Sequence, residues 1–273
     1  MHDIKPGQSI ELLKELHILT RDGRMNQDSR RKLKQIYHLH QFIEPLLQEI
    51  GQAHADIQLV DHGAGKSYLG FILYDLFFKA LNQECHVYGI EARDELVTRS
   101  RDLARRLNFP GMSFLNLSVA ESMASPVLPA RVDMVTALHA CDTATDDAIR
   151  FALEKKVPYI VLVPCCQAEV AAILRKNKGK ILTGSALAEL WRHPLHTREF
   201  GSHITNVLRC LQLEAHGYQV SVTELVGWEH SLKNELIIAR DRSLPRRRPT
   251  ERLHELLRML GLEEMNSRFF APQ

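Results

Sequence analysis

An acid and two glycines follow the first strongly apolar segment of the chain, at a spacing that can bind a nucleotide-like ligand. Residues 57–73 read I-Q-L-V-D-H-G-A-G-K-S-Y-L-G-F-I-L, with Asp61, Gly63 and Gly65 after the apolar start. Apolar residues at helical spacing follow the glycines, so the segment predicts a buried strand, a tight turn and the start of a helix. Glycines in such a turn can adopt positive φ and bring backbone N–H groups close to a ligand.

Three nucleotide-binding patterns compete for this turn. The phosphate-binding loop would need a glycine at Val60, and the dinucleotide fingerprint would need one at Tyr68. The pattern acid-x-Gly-x-Gly fits as it stands and resembles the first motif of class I S-adenosylmethionine (SAM) methyltransferases, in which the acid lies near the charged amino-acid end of the cofactor. The resemblance assigns to the cofactor Asp61, Gly63, Ala64 and Gly65. A turn that binds nothing is the alternative.

A second acid stands at the tip of the next predicted strand. Residues 86–91 end in Glu91, and Ala92 begins a helix. A carboxylate at this place can accept hydrogen bonds from both hydroxyls of a ribose, and each such bond contributes about 1.5–3 kcal/mol. Because it follows the glycine turn in one βαβ unit, we interpret Glu91 as a cofactor ligand, together with Ala92. The resemblance also places Val119 and Ala120, after the third strand, beside the adenine.

A histidine, a cysteine and an acid follow the predicted fourth strand. In class I methyltransferases the donor methyl meets the acceptor at this place, so the resemblance makes His139, Cys141 and Asp142 catalytic candidates. His139 and Asp142 are the possible general bases, and His139 is also assigned to the cofactor. The alternative is a structural loop in which Thr145 or Asp146 caps the next helix.

The fifth strand is followed by P-C-C-Q, which brings Cys166 to the same edge of the sheet as Cys141. RNA cytosine-5 methyltransferases carry a nucleophilic thiolate at such places, so covalent catalysis is one hypothesis. A buried cysteine that only packs is the alternative. The segment lacks C-x-x-C spacing, and no metal is assigned. Further along, His193, His196 and His203 are interpreted as lining for the substrate cleft rather than as metal ligands, with ordinary surface residues as the alternative.

Composition and length place only broad limits on domain number, partners and cellular compartment. The chain has 273 residues, 45% hydrophobic content and a net charge of +2, which suit one doubly wound domain with additions. Net charge alone argues neither for nor against an acidic partner, and no DNA partner is expected. The sequence predicts neither a signal peptide nor a membrane span. Five cysteines, an odd number, favour a reducing compartment, so we expect a cytoplasmic protein. The oligomeric state is left open.

The predicted organisation has three parts. Residues 1–54 form an N-terminal helical cap, with helix expected from about residue 8 to 54. Residues 55–241 form an α/β, Rossmann-like class I methyltransferase domain, a seven-stranded, mostly parallel sheet with an antiparallel β7. Residues 242–273 form a basic linker and a C-terminal helix. Two basic clusters, Arg30–Lys34 and Arg246–Arg248, stand out, each either a partner surface or a solvated face.

Four segments carry a more specific resemblance: D-H-G-A-G-K-S-Y-L-G, L-H-A-C-D-T-A-T-D, P-C-C-Q and H-S-L-K-N-E-L-I. Together they resemble the methyltransferase-domain family that includes methyltransferase-like 25 and glutathione S-transferase C-terminal-domain-containing proteins. The second is also similar to a segment of tRNA 2′-O-methyltransferases. The resemblance implies SAM as cofactor, and the acceptor-binding candidates are Cys166, His203, Lys233 and Asn234. An RNA nucleotide is the expected acceptor; a protein side chain, a small molecule or an idle SAM-binding regulator are the alternatives.

Overall fold

A seven-stranded sheet organises the computed structural model, which describes residues 4–65, 68–79, 84–138, 140, 143–164, 167–177, 189–190, 192–225 and 235–270. The strands are β1 (Asp56–His62), β2 (Glu84–Glu91), β3 (Met112–Asn116), β4 (Met134–Leu138), β5 (Tyr159–Val163), β6 (Tyr218–Glu224) and β7 (Glu235–Asp241). Their order in the sheet is β3-β2-β1-β4-β5-β7-β6. β7 pairs antiparallel with β5 and β6, and the pairs among β1 to β5 are parallel. The predicted fold class is confirmed.

Helices cover both faces of the sheet. They are α1 (Ile10–Glu15), α2 (Gln27–Ala53), α3 (Tyr68–Leu73), α4 (Asp94–Arg106), α5 (Val119–Met123), α6 (Thr143–Glu154), α7 (Glu169–Lys176), α8 (Pro194–Ala215), α9 (Arg247–Met259) and α10 (Asn266–Phe269). A π-helical turn, Tyr74–Phe78, continues α3. No helix in the described part of the chain is both long and apolar enough to cross a membrane.

Alternation along β1 divides the interior into two layers. Ile57 and Leu59 join the core under α1 to α4, whereas Val60 belongs to the core under α6 and α8. Successive side chains of a strand point to opposite faces. Asp61 and His62 continue this alternation at the carboxyl end of β1, so these neighbours in sequence face different layers.

The N-terminal cap consists of two helices rather than one continuous helical region. Residues 16–26 form turns between α1 and α2, which corrects the expectation of helix from about 8 to 54. Asn26 caps α2, and its side chain accepts a hydrogen bond from the Ser29 N–H at 2.8 Å. The basic cluster that starts at Arg30 therefore begins where the first turn of α2 ends. Basic side chains are unfavourable in the first turn of a helix because of the helix dipole, and this effect fades beyond that turn.

The cap is fastened to the sheet layer at both ends. Asp75, in the π-helical turn, accepts a hydrogen bond from the Ser9 N–H at 2.8 Å, just before α1. Near the carboxyl end of α2, Glu49 accepts a hydrogen bond from Arg242 at 3.1 Å. Burial alone would raise the pKa of Glu49, but hydrogen bonds from Tyr159 and Arg242 lower it below its usual value. The carboxylate therefore stays charged and holds the cap to the strand edge.

The C-terminal helix packs into the domain. Its buried Leu253 and Leu257 share an apolar cluster with Leu174 of α7 and Leu208 of α8. Five residues, 242–246, connect β7 to this helix. The arginine-rich linker is therefore shorter than the sequence suggested, and its last arginines begin α9.

Candidate cofactor and active site

The glycine turn after β1 has the backbone that the sequence predicts. Gly63 has φ of +62° and Gly65 has φ of +55°, a region that other residues adopt only with strain. A Cβ added to Gly63 would lie 3.2 Å from the Cβ of Ala140. The Ala64 N–H donates to the Ile90 carbonyl at 3.0 Å, which ties the turn to the end of β2. The chain thus approaches its neighbours too closely for a side chain at Gly63.

A cavity of about 470 Å³ opens beside this turn. That volume lies within the range of roughly 300–1,000 Å³ typical of small-molecule sites. Its wall combines the turn, the cap and the carboxyl ends of the strands. The lining residues are Ile18, Lys32, Gln35, Ile36, Leu39, Asp61, Gly63, Ala64, Gly65, Leu69, Ile72, Arg93, Leu138 and Leu225. The predicted cofactor residues of the first motif therefore lie together in one cavity.

Asp61 is the acid of that cavity. Its side chain is 2% exposed, and Oδ1 accepts a hydrogen bond from Thr136 Oγ1 of β4 at 2.7 Å. This bond fixes the orientation of the carboxylate, since β1 and β4 are paired neighbours with Asp61 opposite Thr136. A buried, oriented carboxylate beside a cavity is suited to bind a cationic group.

Glu91, at the tip of β2, is already surrounded by donors. Oε2 accepts from the Gly65 N–H at 2.8 Å and from Arg93 Nη2 at 3.2 Å. Oε1 accepts from the Arg93 N–H at 2.9 Å and from Arg93 Nε at 2.8 Å. Burial alone would raise the pKa of Glu91, but the bonds from Arg93 and Gly65 hold the pKa below its usual value. A carboxylate has about four acceptor positions. The four bonds already fill these positions. A ribose could therefore bind Glu91 only by displacing the side chain of Arg93.

Two backbone donors of the turn point away from the cavity. The Ala64 N–H binds the Ile90 carbonyl, and the Gly65 N–H binds Glu91. The expectation that the bare N–H groups of this turn bind the ligand is therefore wrong for these two residues. Their role is to hold the turn against β2, because each unpaired buried N–H would cost free energy.

Three further residues assigned to the cofactor, Ala92 and the adenine-side Val119 and Ala120, lie outside the lining of the cavity. Ala92 and Ala120 are exposed, and Val119 is half-buried at the start of α5. The neighbouring Ser118 forms a capping box with Glu121, so it has a structural role of its own. The side chain of Asn116 donates to the Ala92 carbonyl at 2.9 Å and so joins the end of β3 to that of β2. The assignment of these residues to the cofactor stays a prediction.

Most of the catalytic and acceptor-binding candidates, His139, Cys141, Asp142, Cys166, Lys233 and Asn234, lie outside the described residues. Their neighbours are described. Leu138 lines the cavity and is the register partner of Val163, so the carboxyl ends of β4 and β5 lie side by side as predicted. The positions that follow these strands therefore begin at the edge of the sheet where the cavity opens.

His203 is exposed on α8 and is absent from the lining of the cavity. The rings of His193 and His196 lie 5.2 Å apart at the start of the same helix. Within the described ranges, no group of three histidine, cysteine or acidic residues could hold a metal ion. The role of His203 in acceptor binding stays a prediction.

A buried ion pair beside this edge escaped the sequence analysis. Arg209 of α8 is fully buried and donates to both carboxylate oxygens of Asp146, at 2.7 and 2.9 Å. Asp146 lies inside α6, as does Thr145, which donates to the Ala140 carbonyl at 2.7 Å. Neither caps the helix as the alternative reading supposed. Arg268 of α10 also contacts Asp146, at 3.4 Å.

The same network reaches two more strand ends. Arg209 donates to Asn206 Oδ1 at 3.3 Å, and Gln167 Nε2 donates to the same oxygen at 2.7 Å. Asn206 in turn donates to Glu235 at 2.6 Å. Gln167 follows β5 and Glu235 begins β7, so the network joins three elements at this edge to α8. The sequence feature that could have indicated this network is the run of small or polar residues on the buried face of α8. It includes Gly201, Thr205 and Gln212.

Residues 31–173 match the model of a methyltransferase domain, a span of just over half of the chain. The chain therefore belongs to this methyltransferase family, and with the sheet order above it is a class I SAM-dependent methyltransferase. No curated protein sequence matches it. The more specific resemblance to methyltransferase-like 25 and its relatives stays a prediction.

Solved structures of similar fold are distant in sequence. A putative caffeoyl-CoA O-methyltransferase from Staphylococcus aureus is 10% identical, with 88% of this chain and 94% of that chain covered and a TM-score of 0.46. Magnesium protoporphyrin IX methyltransferase from Synechocystis PCC 6803, solved with bound SAH, is 16% identical, with 84% and 91% covered and a TM-score of 0.43. TrmK from M. capricolum is 9% identical, with 73% and 69% covered and a TM-score of 0.41. At these values the likenesses carry no information about the acceptor.

The residues of the cavity fit SAM, the cofactor of this class. Its volume suits a small molecule, and Asp61 offers a buried carboxylate to the cationic amino-acid end. The absence of a side chain at Gly63 keeps the floor of the site clear, because a Cβ there would press on Ala140. Glu91 can serve the ribose once the side chain of Arg93, which is 63% exposed, moves aside.

Proposed function

We propose that the chain transfers a methyl group from SAM to a nucleotide in RNA. The observation that carries the acceptor class is the group of exposed cations on α2, the helix that also lines one wall of the cavity. Arg30, Arg31 and Lys34 are exposed on the helix whose Lys32 and Gln35 line the cavity wall. Lysine and arginine are the side chains that bind phosphate groups of a nucleic acid backbone.

The protein contributes chiefly by positioning. SAM supplies an electrophilic methyl group when bound. Asp61 would bind the amino-acid end of the cofactor and Glu91 its ribose, and Leu138 at the carboxyl end of β4 lines the same cavity as Asp61. Orientation of this kind can supply a large share of a rate enhancement. His139 or Asp142 takes a proton from the acceptor if the acceptor must lose one.

The second basic cluster lies away from the cavity. Arg242 binds Glu49, near the carboxyl end of α2, whereas Arg30 stands near its start. Nineteen residues of helix at about 1.5 Å each separate these positions, roughly 28 Å. Arg247 and Arg248 begin α9 and are not among the lining residues of the cavity, and Arg247 donates to Glu251 at 2.9 Å. We therefore assign the first RNA contact to the cluster on α2.

The salt dependence of RNA binding tests this assignment. Arg30→Gln combined with Arg31→Gln should weaken binding of total tRNA and reduce the slope of log affinity against log salt by roughly 1–2, because each phosphate contact contributes close to one. Arg247→Gln combined with Arg248→Gln is the matched control and should leave the slope within about half a unit. Binding that is independent of ionic strength would rule out an RNA backbone contact at this site.

The apolar lining favours one alternative acceptor. Among the described residues, large aliphatic side chains line much of the cavity: Ile18, Ile36, Leu39, Leu69, Ile72, Leu138 and Leu225. Such a wall also suits a small apolar molecule. Mass spectrometry of modified nucleosides and of small metabolites from cells lacking the gene separates the two. Loss of one methylated nucleoside supports RNA, whereas an unchanged nucleoside profile with an accumulated small molecule supports the alternative.

A further inference from the structure

One wall of the cofactor cavity is a face of the cap helix α2. Lys32, Gln35, Ile36 and Leu39 line it at i, i+3, i+4 and i+7 spacing, so a single stripe of the helix faces the glycine turn. Leu39 is buried and Gln35 and Ile36 are half-buried, while Lys32 is exposed near the cavity mouth. The cap is therefore part of the site rather than a cover over another surface.

The charged lining is small and specific. Among the described residues of the cavity, Asp61, Arg93 and Lys32 are charged. The guanidinium of Arg93 bonds Glu91 at 2.8 and 3.2 Å, the place that the ribose needs. Asp61 is negative and held by Thr136. Lys32 is the described lining cation that lies on the cap, whereas Asp61 and Arg93 come from the sheet side.

The amino-acid end of SAM carries both a positive ammonium and a negative carboxylate. Asp61 is complementary to the ammonium only. The usual donors for the carboxylate in such a turn would be its backbone N–H groups, but those of Ala64 and Gly65 are used by Ile90 and Glu91. A carboxylate taken into a cavity without a cationic or N–H partner is strongly disfavoured. These two amides are therefore not available to the carboxylate, and a cationic side chain of the lining would serve it.

We propose that Lys32 binds the carboxylate of SAM, so that the cap supplies a cofactor residue that the glycine-rich motif does not. A lysine ammonium is a compact charge with three donors on a flexible stem, suited to a carboxylate near a cavity mouth. Gln35, one turn along the same stripe, is placed to add an amide donor. This inference rests on the cofactor and not on the identity of the acceptor.

Calorimetric titration with two ligands tests the contact directly. SAM and decarboxylated SAM differ only in the carboxylate, and neither measurement requires turnover. In Lys32→Met, affinity for SAM should fall about tenfold, the size expected for one charge-assisted bond, while affinity for decarboxylated SAM stays within twofold of the wild type. Lys32→Arg should recover most of the loss. Lys34→Met, an exposed lysine outside the lining, should bind both ligands as the wild type does.

Three outcomes would overturn the proposal. An equal loss for both ligands in Lys32→Met would mean that the lysine shapes the wall without contacting the carboxylate. No loss for either ligand would mean that another group binds the carboxylate. An equal loss of SAM affinity in Lys34→Met would mean that Lys32 acts only through the general positive charge of the helix. The RNA assignment is judged separately, because RNA is absent from these titrations.

Discussion

The cofactor turn and the Arg209 network lie at the same edge of the sheet, yet they use polar groups in opposite ways. At the turn, charged groups face a cavity, and the pairing of Glu91 with an exposed Arg93 can be exchanged for a ligand. In the network, Arg209 and Asp146 are buried and bind each other through two bonds. A polar group open to a cavity can bind a ligand, whereas a group enclosed by partners can only hold its neighbours in place.

The same distinction separates residues within single sequence motifs. T-A-T-D, P-C-C-Q and N-E-L-I each contribute one residue to the network: Asp146, Gln167 and Glu235. Each of these follows closely after positions that the resemblance assigns to chemistry or to the acceptor. A motif at a strand end therefore mixes residues that would meet a ligand with residues that anchor the element. Substitutions of the two kinds of residue should therefore have different effects, on ligand binding in one case and on stability in the other.

The largest effect is expected from breaking the enclosed pair. Arg209→Met leaves the buried carboxylate of Asp146 without its two bonds, which should lower the free energy of unfolding by about 3–5 kcal/mol. Urea unfolding followed by circular dichroism measures the change. The double variant Arg209→Met with Asp146→Leu removes both charges and should recover part of the loss. A decrease below 1 kcal/mol in the single variant would show that the pair is not enclosed.

Replacement of the cavity acid should affect binding and leave folding nearly unchanged. Asp61→Asn keeps the shape but loses the charge that faces the cofactor ammonium, so affinity for SAM should fall about ten- to hundredfold. Calorimetry measures this, and Thr136→Val is the comparison variant. That variant removes only the hydroxyl that orients Asp61, and should lose less than tenfold. Equal affinities in Asp61→Asn and the wild type would contradict the placement of the cofactor.

His62 tests the other face of the same strand. Burial lowers its pKa from the usual 6.5 to about 3, and its ring packs against Phe151 at 4.6 Å. Above pH 6.5 it is neutral in both states. As the pH falls below 6.5, the unfolded chain gains a proton that the folded chain does not, so stability decreases, by roughly 2 kcal/mol at pH 5. Unfolding measured at pH 7.5 and 5.0 should show that His62→Leu loses less stability than the wild type. An identical pH dependence would contradict this burial.

The smallest expected effect is an increase in affinity for SAM. Arg93 occupies the carboxylate that the ribose would use, and because its own side chain is 63% exposed, we expect its bond to Glu91 to contribute about 1 kcal/mol. Arg93→Ala should therefore raise affinity for SAM about two- to fivefold, whereas Glu91→Ala should lower it. Both are measured in the calorimetric titration. A loss of affinity in Arg93→Ala would instead make Arg93 a direct cofactor ligand.

The sequence predicts the sheet, the glycine turn and the acid at the tip of β2, because these depend on local periodicity and on backbone requirements of single residues. It misses Arg209, because a charged residue is ordinarily read as exposed and its partner, Asp146, is 63 positions away. It also treats the turn amides as ligand donors, because only the folded structure shows Ile90 and Glu91 opposite them. The features that the sequence did not predict are therefore contacts between residues that are far apart in the sequence.

The bond between the Ser9 N–H and Asp75 has a consequence for how this protein can be divided. A fragment that starts at Asp56 would strip the partner from a buried carboxylate and uncover the apolar surface on which Leu12, Leu13 and Leu47 pack. We propose that the shortest stable unit therefore includes the cap, although the match to the family model begins at residue 31.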